Sequence, residues 1–81
     1  MPRVILTGTL KQLTGGEGEL ELDVGNVRQL FKALGQRYPA LADQLDDGYA
    51  VAINGQIFQD DWFAPIAADA EVHVLPKIGG G

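Results

Sequence analysis

The sequence contains no cysteine and no long apolar run, and each of these two absences argues against a class of function. It contains a single histidine. Without cysteine the chain has no thiolate nucleophile, no disulfide and no cysteine-ligated zinc or iron–sulfur site. No segment approaches the ~20 apolar residues that span a bilayer, and the chain does not open on a charged-then-apolar leader. The sequence therefore predicts a cytoplasmic protein with no membrane segment and no membrane partner.

Basic residues are also few. Six lysines and arginines stand against eleven aspartates and glutamates, which gives a formal net charge of −5 over 81 residues. Binding a phosphate backbone needs concentrated positive charge, so we expect no nucleic acid partner. The charge favours instead a partner protein with a basic docking surface. An acidic cluster at 43–47 is interpreted as a solvated turn rather than a metal site, because no fixed loop geometry accompanies it.

Five short segments rich in apolar and β-branched residues predict strands. They lie at 3–10, 19–24, 49–53, 56–58 and 71–76. Asn54 and Gly55 join the third and fourth as a two-residue hairpin turn, because both residues tolerate the positive φ of a type I′ turn. The glycine-rich stretch 11–18 predicts a loop or a wide hairpin turn. The segment 39–48 is interpreted as a connecting turn of helix that packs two leucines.

One amphipathic helix is expected between the second and third strands, from Val27 to Tyr38. Asn26 is a good N-cap, and Gln29 completes a capping-box pattern three residues later. Apolar residues recur at helical spacing along one stripe. Pro39 ends the helix, because the residue before a proline avoids helical geometry.

One helix against a mixed sheet is a two-layer α+β fold. If the first and last strands pair in parallel in the middle of the sheet, the four to five strands and the helix form a ubiquitin-like β-grasp roll. We expect a single domain over 1–76 and a flexible tail over 77–81. The core should join the helix stripe Val27, Leu30, Phe31 and Leu34 to the strand residues Val4, Leu6, Leu20, Leu22, Val51, Ile53, Val72 and Val74.

The tail reads Lys77-Ile78-Gly79-Gly80-Gly81. Three glycines give a backbone ribbon without side chains, and five extended residues reach about 17 Å at most. Such a ribbon suits a narrow channel in a partner, where the α-carboxylate of Gly81 becomes an acylating group once it is activated. The alternative is a frayed chain end without function.

Three stretches together carry a family resemblance. They are Leu30-Phe31-x-x-Leu34-x-x-Arg37-Tyr38-Pro39-x-Leu41, then Val51-Ala52-Ile53-Asn54-Gly55, then Glu71-Val72-His73-Val74-Leu75-Pro76 running into the diglycine. In this order and spacing the chain resembles the MoaD/ThiS-type sulfur carriers over essentially its full length. The length and the Tyr38-Pro39 pair resemble the molybdopterin branch more than the thiamin branch.

The resemblance implies a carrier protein that is a substrate rather than an enzyme. An E1-like adenylating enzyme would use ATP to form an acyl-adenylate on Gly81, with Gly80 and Gly79 preceding it. Sulfur then replaces the adenylate, and the thiocarboxylate is donated to a synthase large subunit or an equivalent acceptor. The carrier itself would bind no cofactor and no metal. Lys77 stands where the molybdopterin branch commonly has a second proline, so the acceptor is left open.

A docking surface is expected on the sheet face that the helix does not cover. By strand alternation this face carries Ile5, Ala50, Ala52, His73 and Leu75, and Lys77 lies just beyond it. Grouped apolar residues beside the tail would form a patch for the adenylating enzyme or the acceptor. A lone strand histidine is usually not a catalyst, so His73 is interpreted as a partner contact. Trp62 and Phe63 are interpreted as core aromatics.

Three functions remain open at the level of the sequence. The chain is a sulfur carrier, or a ubiquitin-like modifier that is joined through Gly81 to a lysine of a target, or a non-reacting β-grasp interaction domain. The first two share the adenylation step and are not separable from residue patterns.

Overall fold

Five strands and three helices make up the fold of the computed structural model, which describes residues 1–45, 48–59 and 61–76. In chain order they are β1 (Arg3–Leu6), α1 (Thr9–Leu13), β2 (Glu19–Glu21), α2 (Val27–Arg37), α3 (Pro39–Leu45), β3 (Tyr49–Ile53), β4 (Gln56–Phe58) and β5 (Glu71–Pro76). The strands lie in one sheet in the order β2-β1-β5-β3-β4. This is the expected α+β arrangement with a mixed sheet.

The first and last strands pair in parallel at the centre of the sheet. Val4 lies opposite Val72, and Leu6 lies opposite Val74. The other three pairings, β1 with β2, β3 with β4, and β3 with β5, are antiparallel. The predicted parallel pairing of the chain's two ends is therefore confirmed, and it places β5 in the middle of the five strands.

Helix α2 begins where the capping pattern predicts. The backbone N–H of Gln29 donates to Oδ1 of Asn26 at 2.8 Å, and the backbone N–H of Gly25 donates to Oε1 of Gln29 at 2.7 Å. The glutamine thus reaches one residue before the cap rather than the cap itself. The helix ends at Arg37, one residue before the predicted end, and α3 begins directly at Pro39.

The core lies between α2 and the inner face of the sheet. All of the expected strand positions are buried, and so are Val27, Leu30 and Leu34 of the helix. Phe31 is half-buried at the edge of this core. Burial of these side chains is the main favourable term that holds so small a domain together.

The segment between the first two strands differs from the prediction. β1 ends at Leu6, and residues Thr9–Leu13 form the short helix α1 instead of a strand end and a loop. Leu10 on this helix is 1% exposed, so its burial holds a turn of helix that has little stability of its own. The hydroxyl of Thr14 lies 2.9 Å from the carbonyl oxygen of Lys11 and closes the helix end.

The hairpin between β3 and β4 has the predicted turn. Asn54 has φ 49° and Gly55 has φ 87°, as a type I′ turn requires. The side chain of Asn54 has a second role, because its Oδ1 accepts a hydrogen bond of 2.9 Å from the backbone N–H of Glu71. The turn is therefore tied to the start of β5.

The aromatic pair before the last strand is not in the core, so that prediction is wrong. Phe63 is 73% exposed and Trp62 is 36% exposed. The backbone carbonyl of Trp62 accepts from the N–H of Arg28 at 2.8 Å, and that of Ala64 accepts from Val27 at 3.2 Å. These bonds satisfy first-turn N–H groups of α2 that have no partner within the helix. They leave the small Ala64, rather than the aromatics, to face the core.

In the described part of the chain, no helix has the length and apolar character that crossing a membrane requires.

Candidate functional site

The glycine tail continues from the central strand of the sheet. β5 ends at Pro76, which lies opposite Tyr49 of β3. Gly79, Gly80, Gly81 and Lys77 lie outside the described residues, so their roles stay predictions. The structure does establish that the chain enters this segment from the strand with neighbours on both sides, next to the open face of the sheet.

The strand register brings four predicted docking residues together on that open face. Ile5 lies opposite His73 across β1 and β5, and His73 lies opposite Ala52 across β5 and β3. Leu75 is the next residue along β5 on the same face. All four side chains are half-buried, so each contributes some accessible surface to one continuous patch.

Ala50 contributes little to this patch, which corrects the expectation that it is open to a partner. It lies opposite Leu75, on the predicted face, but is only 2% exposed.

Ile57 is a patch residue that the strand alternation had not included. It lies opposite Ala52 on β4 and is 46% exposed. The signal was available, because a two-residue Asn54-Gly55 loop pairs Ile53 with Gln56 and therefore Ala52 with Ile57. We call Ile5, Ala52, Ile57, His73 and Leu75 the sheet patch.

The edge of the sheet patch at the start of β5 is charged, and its one arginine is paired with acidic side chains. Nη2 of Arg3 lies 2.5 Å from Oε2 of Glu71, and its Nε lies 4.0 Å from Glu19. The hydrogen bond to Glu71, reinforced by the charge of Glu19, raises the pKa of the Arg3 guanidinium. Nε2 of His73 lies 3.7 Å from Oε1 of the same Glu71.

The face thus changes character along β5. It is charged at Glu71, where the strand begins, and apolar at Leu75, next to the segment that carries the glycines. A partner that receives the tail would therefore meet the apolar end first.

Among residues 1–45, 48–59 and 61–76 no group of three or more acidic or histidine side chains has a metal-binding arrangement. Asp46 and Asp47 of the predicted acidic turn lie outside these ranges.

Comparison with solved structures confirms the ubiquitin-like β-grasp fold. A chain of the crystal structure of the Amycolatopsis orientalis BexX/CysO complex matches with a TM-score of 0.83 at 20% identity, covering 100% of both chains. Small archaeal modifier protein 1 from Methanosarcina acetivorans matches at 0.76 and 23% identity, covering 99% of this chain and 95% of that one. A putative molybdopterin converting factor, subunit 1, from Pyrococcus furiosus matches at 0.73 and 24% identity, covering 95% and 97%. At these identities the likeness is one of fold.

The sequence itself matches one family model. The model, described as the ThiS family, covers residues 4–81 and so includes all three terminal glycines. No curated protein sequence matches the chain.

Proposed function

Because the chain belongs to the ThiS family of small carrier proteins, we propose that it carries sulfur as a thiocarboxylate on Gly81. The observation that supports this is the extent of the family match. It does not stop at the last strand but runs through the glycines to Gly81. A terminal glycine exposes its carbonyl from both faces, because no side chain shields it.

The proposed chemistry has two steps, and the catalytic groups for both belong to partner enzymes. An oxygen of the Gly81 carboxylate attacks the α-phosphorus of ATP, pyrophosphate leaves, and an acyl-adenylate forms. A sulfur nucleophile at the sulfide level then attacks the carbonyl carbon and displaces AMP, which leaves the thiocarboxylate. The chain binds neither ATP nor metal in this scheme, since the adenylating enzyme holds the nucleotide.

The sheet patch is the proposed docking surface for that E1-like enzyme and for the sulfur acceptor. Leu75 and Ile57 supply apolar area, and Ala52 between them is small enough to let a partner approach the backbone. Lys77 adds a positive charge at the start of the tail. One structure with this fold was solved as the BexX/CysO complex, so the fold occurs in at least one assembly with another protein.

The acceptor that fits the resemblance best is the large subunit of a molybdopterin synthase. A thiamin-type or another sulfur-accepting enzyme is the alternative within the same function, because Lys77 departs from the molybdopterin pattern. We place the whole sequence of reactions in the cytoplasm, as the sequence predicts.

A ubiquitin-like modifier is the second candidate function. It is favoured by the fold match to small archaeal modifier protein 1, which by name is a modifier. In that case the activated Gly81 carbonyl is attacked by a lysine amine of a target, and an isopeptide bond replaces the thiocarboxylate.

Mass spectrometry of the protein purified from its native host separates these functions. Replacement of one oxygen by sulfur at Gly81 supports the carrier, and an isopeptide-linked Gly81 supports the modifier. An unmodified terminus from cells that are actively making sulfur-containing cofactors contradicts both. The chain would then be a non-reacting interaction domain.

A further inference from the structure

A groove lies on the helix side of the molecule, away from the sheet patch. It has a volume of about 430 Å³ and runs between α2, α3 and the turn that carries Trp62. Its base is open because Gly35 and Ala42, where the two helices meet, have almost no side chain. A Cβ placed on Gly35 would lie 3.4 Å from the Cβ of Ala42, so the helices are already in close contact there.

Apolar side chains form the walls of this groove. Trp62 packs edge-on against Phe31, with ring centroids 5.3 Å apart and planes at 84°, and it remains 36% exposed. Leu45 closes the opposite side from α3. A partly exposed tryptophan beside a phenylalanine is the kind of surface that dominates binding energy in protein interfaces.

A second, smaller depression adjoins the first. It has a volume of about 220 Å³, and Phe63, at 73% exposure, forms its apolar wall. Arg28 and Lys32 line both depressions. The surface is therefore extended, with a larger apolar hollow and a smaller one that has a single apolar wall, and the two share a border of two cations.

The two cations on this border have no counter-charge within the described residues. Arg28 and Lys32 are one helical turn apart on α2, and no acidic side chain of 1–45, 48–59 or 61–76 pairs with either or lines either hollow. Elsewhere the arginines are paired, Arg3 with Glu71 and Arg37 with Glu17 at 3.5 Å. In a chain of net charge −5 this is a localised positive site next to exposed aromatics.

We propose that this helix-side groove binds an acidic peptide segment of a partner protein. One apolar side chain of the peptide fills the hollow walled by Trp62, and a second packs on Phe63. One or two carboxylates between them lie over Arg28 and Lys32. Two cations are too few to hold a phosphate backbone against the acidic body of the domain, which argues against nucleic acid. Two adjacent hollows suit a chain with two anchors better than one compact molecule.

This binding site does not depend on the sulfur-carrier function. α2 covers one face of the sheet and the sheet patch is on the other, so a peptide in the groove leaves the patch uncovered. A partner is then able to hold the domain by its helices while the C-terminal segment is engaged elsewhere.

The test uses the full chain and a library of short random peptides that contain no tryptophan. Trp62 is the only tryptophan, so its fluorescence reports binding in this groove directly. We expect selected peptides to have two apolar residues flanking Asp or Glu, and a synthetic consensus peptide to change the Trp62 emission. Raising the salt concentration should weaken the binding, because the two cations are exposed.

Two variants locate the site. The double change Arg28→Glu with Lys32→Glu should weaken the consensus peptide by roughly tenfold or more, because like charges then face each other. Ala42→Phe should block the larger hollow without adding charge. The control is Lys11→Glu on α1, which makes half of the double variant's charge change, at a residue that lines neither hollow, and it should bind the peptide as the natural chain does.

Several outcomes would overturn the proposal. They are a library that yields no binder, selected peptides without carboxylates, and equal affinity for the natural chain and the folded double-charge variant. Self-association of the chain through Trp62, seen by sedimentation and abolished by Ala42→Phe, would assign the groove to a second copy instead. Thiocarboxylate formation at Gly81 should be the same in every variant. A result that overturns the peptide-binding site is therefore distinct from a result that overturns the carrier function.

Discussion

The two faces of the molecule carry their charges in different arrangements. On the sheet face the cation Arg3 is bound by Glu71 and lies near Glu19, so its positive charge is compensated within the chain. On the helix face Arg28 and Lys32 have no acidic partner among the described residues. The first face therefore offers a partner mainly apolar contact at Leu75 and Ile57, whereas the second offers apolar contact together with two cations that pair with no described acidic side chain.

This difference separates two kinds of recognition. Apolar patches bind through area and fit, and their partners are sensitive to a change in shape or to a buried charge. Unpaired cations beside aromatics select partners by charge and respond to salt. If both assignments are right, one small domain is able to be adenylated through one face and held through the other.

The largest expected effect comes from changes in the tail, which follows the central strand β5 in the sequence. Adding residues after Gly81 should abolish adenylation, because the carboxylate becomes an amide that does not attack ATP. Gly80→Val should also block it, since a β-branched side chain widens the ribbon and restricts its dihedral angles. ATP–pyrophosphate exchange with the cognate adenylating enzyme measures the effect.

Lys77→Ala is the control for this prediction, because it lies before the diglycine and should change affinity more than chemistry. The melting temperature should be unchanged in all three proteins, since the changes come after the last strand in the sequence and replace no core residue. Exchange supported by an extended, unprocessed chain would show that the tail is not the reactive group, and the carrier function would be wrong.

A change in the shared core should disable both faces together. Leu30 is fully buried in α2 against the sheet, so Leu30→Ala should lower the free energy of unfolding by about 2–5 kcal/mol. That is a large share of the stability of a small domain. Phe63→Ala, at a 73% exposed position, is the matched control and should cost far less. Denaturant unfolding compares the two, and equal losses would contradict the assigned core.

The same core shows where sequence patterns suffice and where they do not. The alternation of 19–24 and the stripe of α2 predict buried positions because each side chain's direction follows from strand or helix period. The Asn54-Gly55 turn is predicted because few residue pairs tolerate its positive φ angles. The parallel pairing of β1 with β5 joins opposite ends of the chain, and only the strand order and the family resemblance predict it.

The failures have a common physical origin in tertiary contacts. Helix α1 is five residues long, too short for periodicity to show, and the burial of Leu10 decides its conformation. Phe63 is apolar by composition, yet it points to solvent because backbone bonds fix its turn to the start of α2. The helix-side groove depends on how α2, α3 and that turn meet, and no local pattern in the sequence contains that information.

Changing the charge on one face at a time tests whether the two faces act independently. Leu75→Glu places a carboxylate in the sheet patch and should raise the KM for the carrier in the exchange assay roughly tenfold, as for loss of an interface anchor. Arg28→Glu should leave that KM unchanged while weakening the acidic peptide. Because Leu75 is half-buried on the open face, we expect the variant to keep the fold, which circular dichroism checks. An unaltered KM in folded Leu75→Glu would remove the sheet patch from the adenylation contact.

The smallest effect, and the one that distinguishes the faces most finely, is expected at the cap of α2. Asn26→Ala removes the acceptor for the N–H of Gln29 and should cost about 1 kcal/mol of stability. The loss should be local, because the first turn that it loosens carries Arg28 and not the sheet patch. Amide hydrogen exchange should show a less protected Gln29 N–H. The KM in the ATP–pyrophosphate exchange assay should be unchanged, and peptide binding should be slightly weaker.

Asn26→Ser is the control, because it keeps a capping oxygen and should restore most of the protection. Were Asn26→Ala to alter adenylation as much as it alters peptide binding, the two faces would be coupled through α2 and their independence would have to be given up.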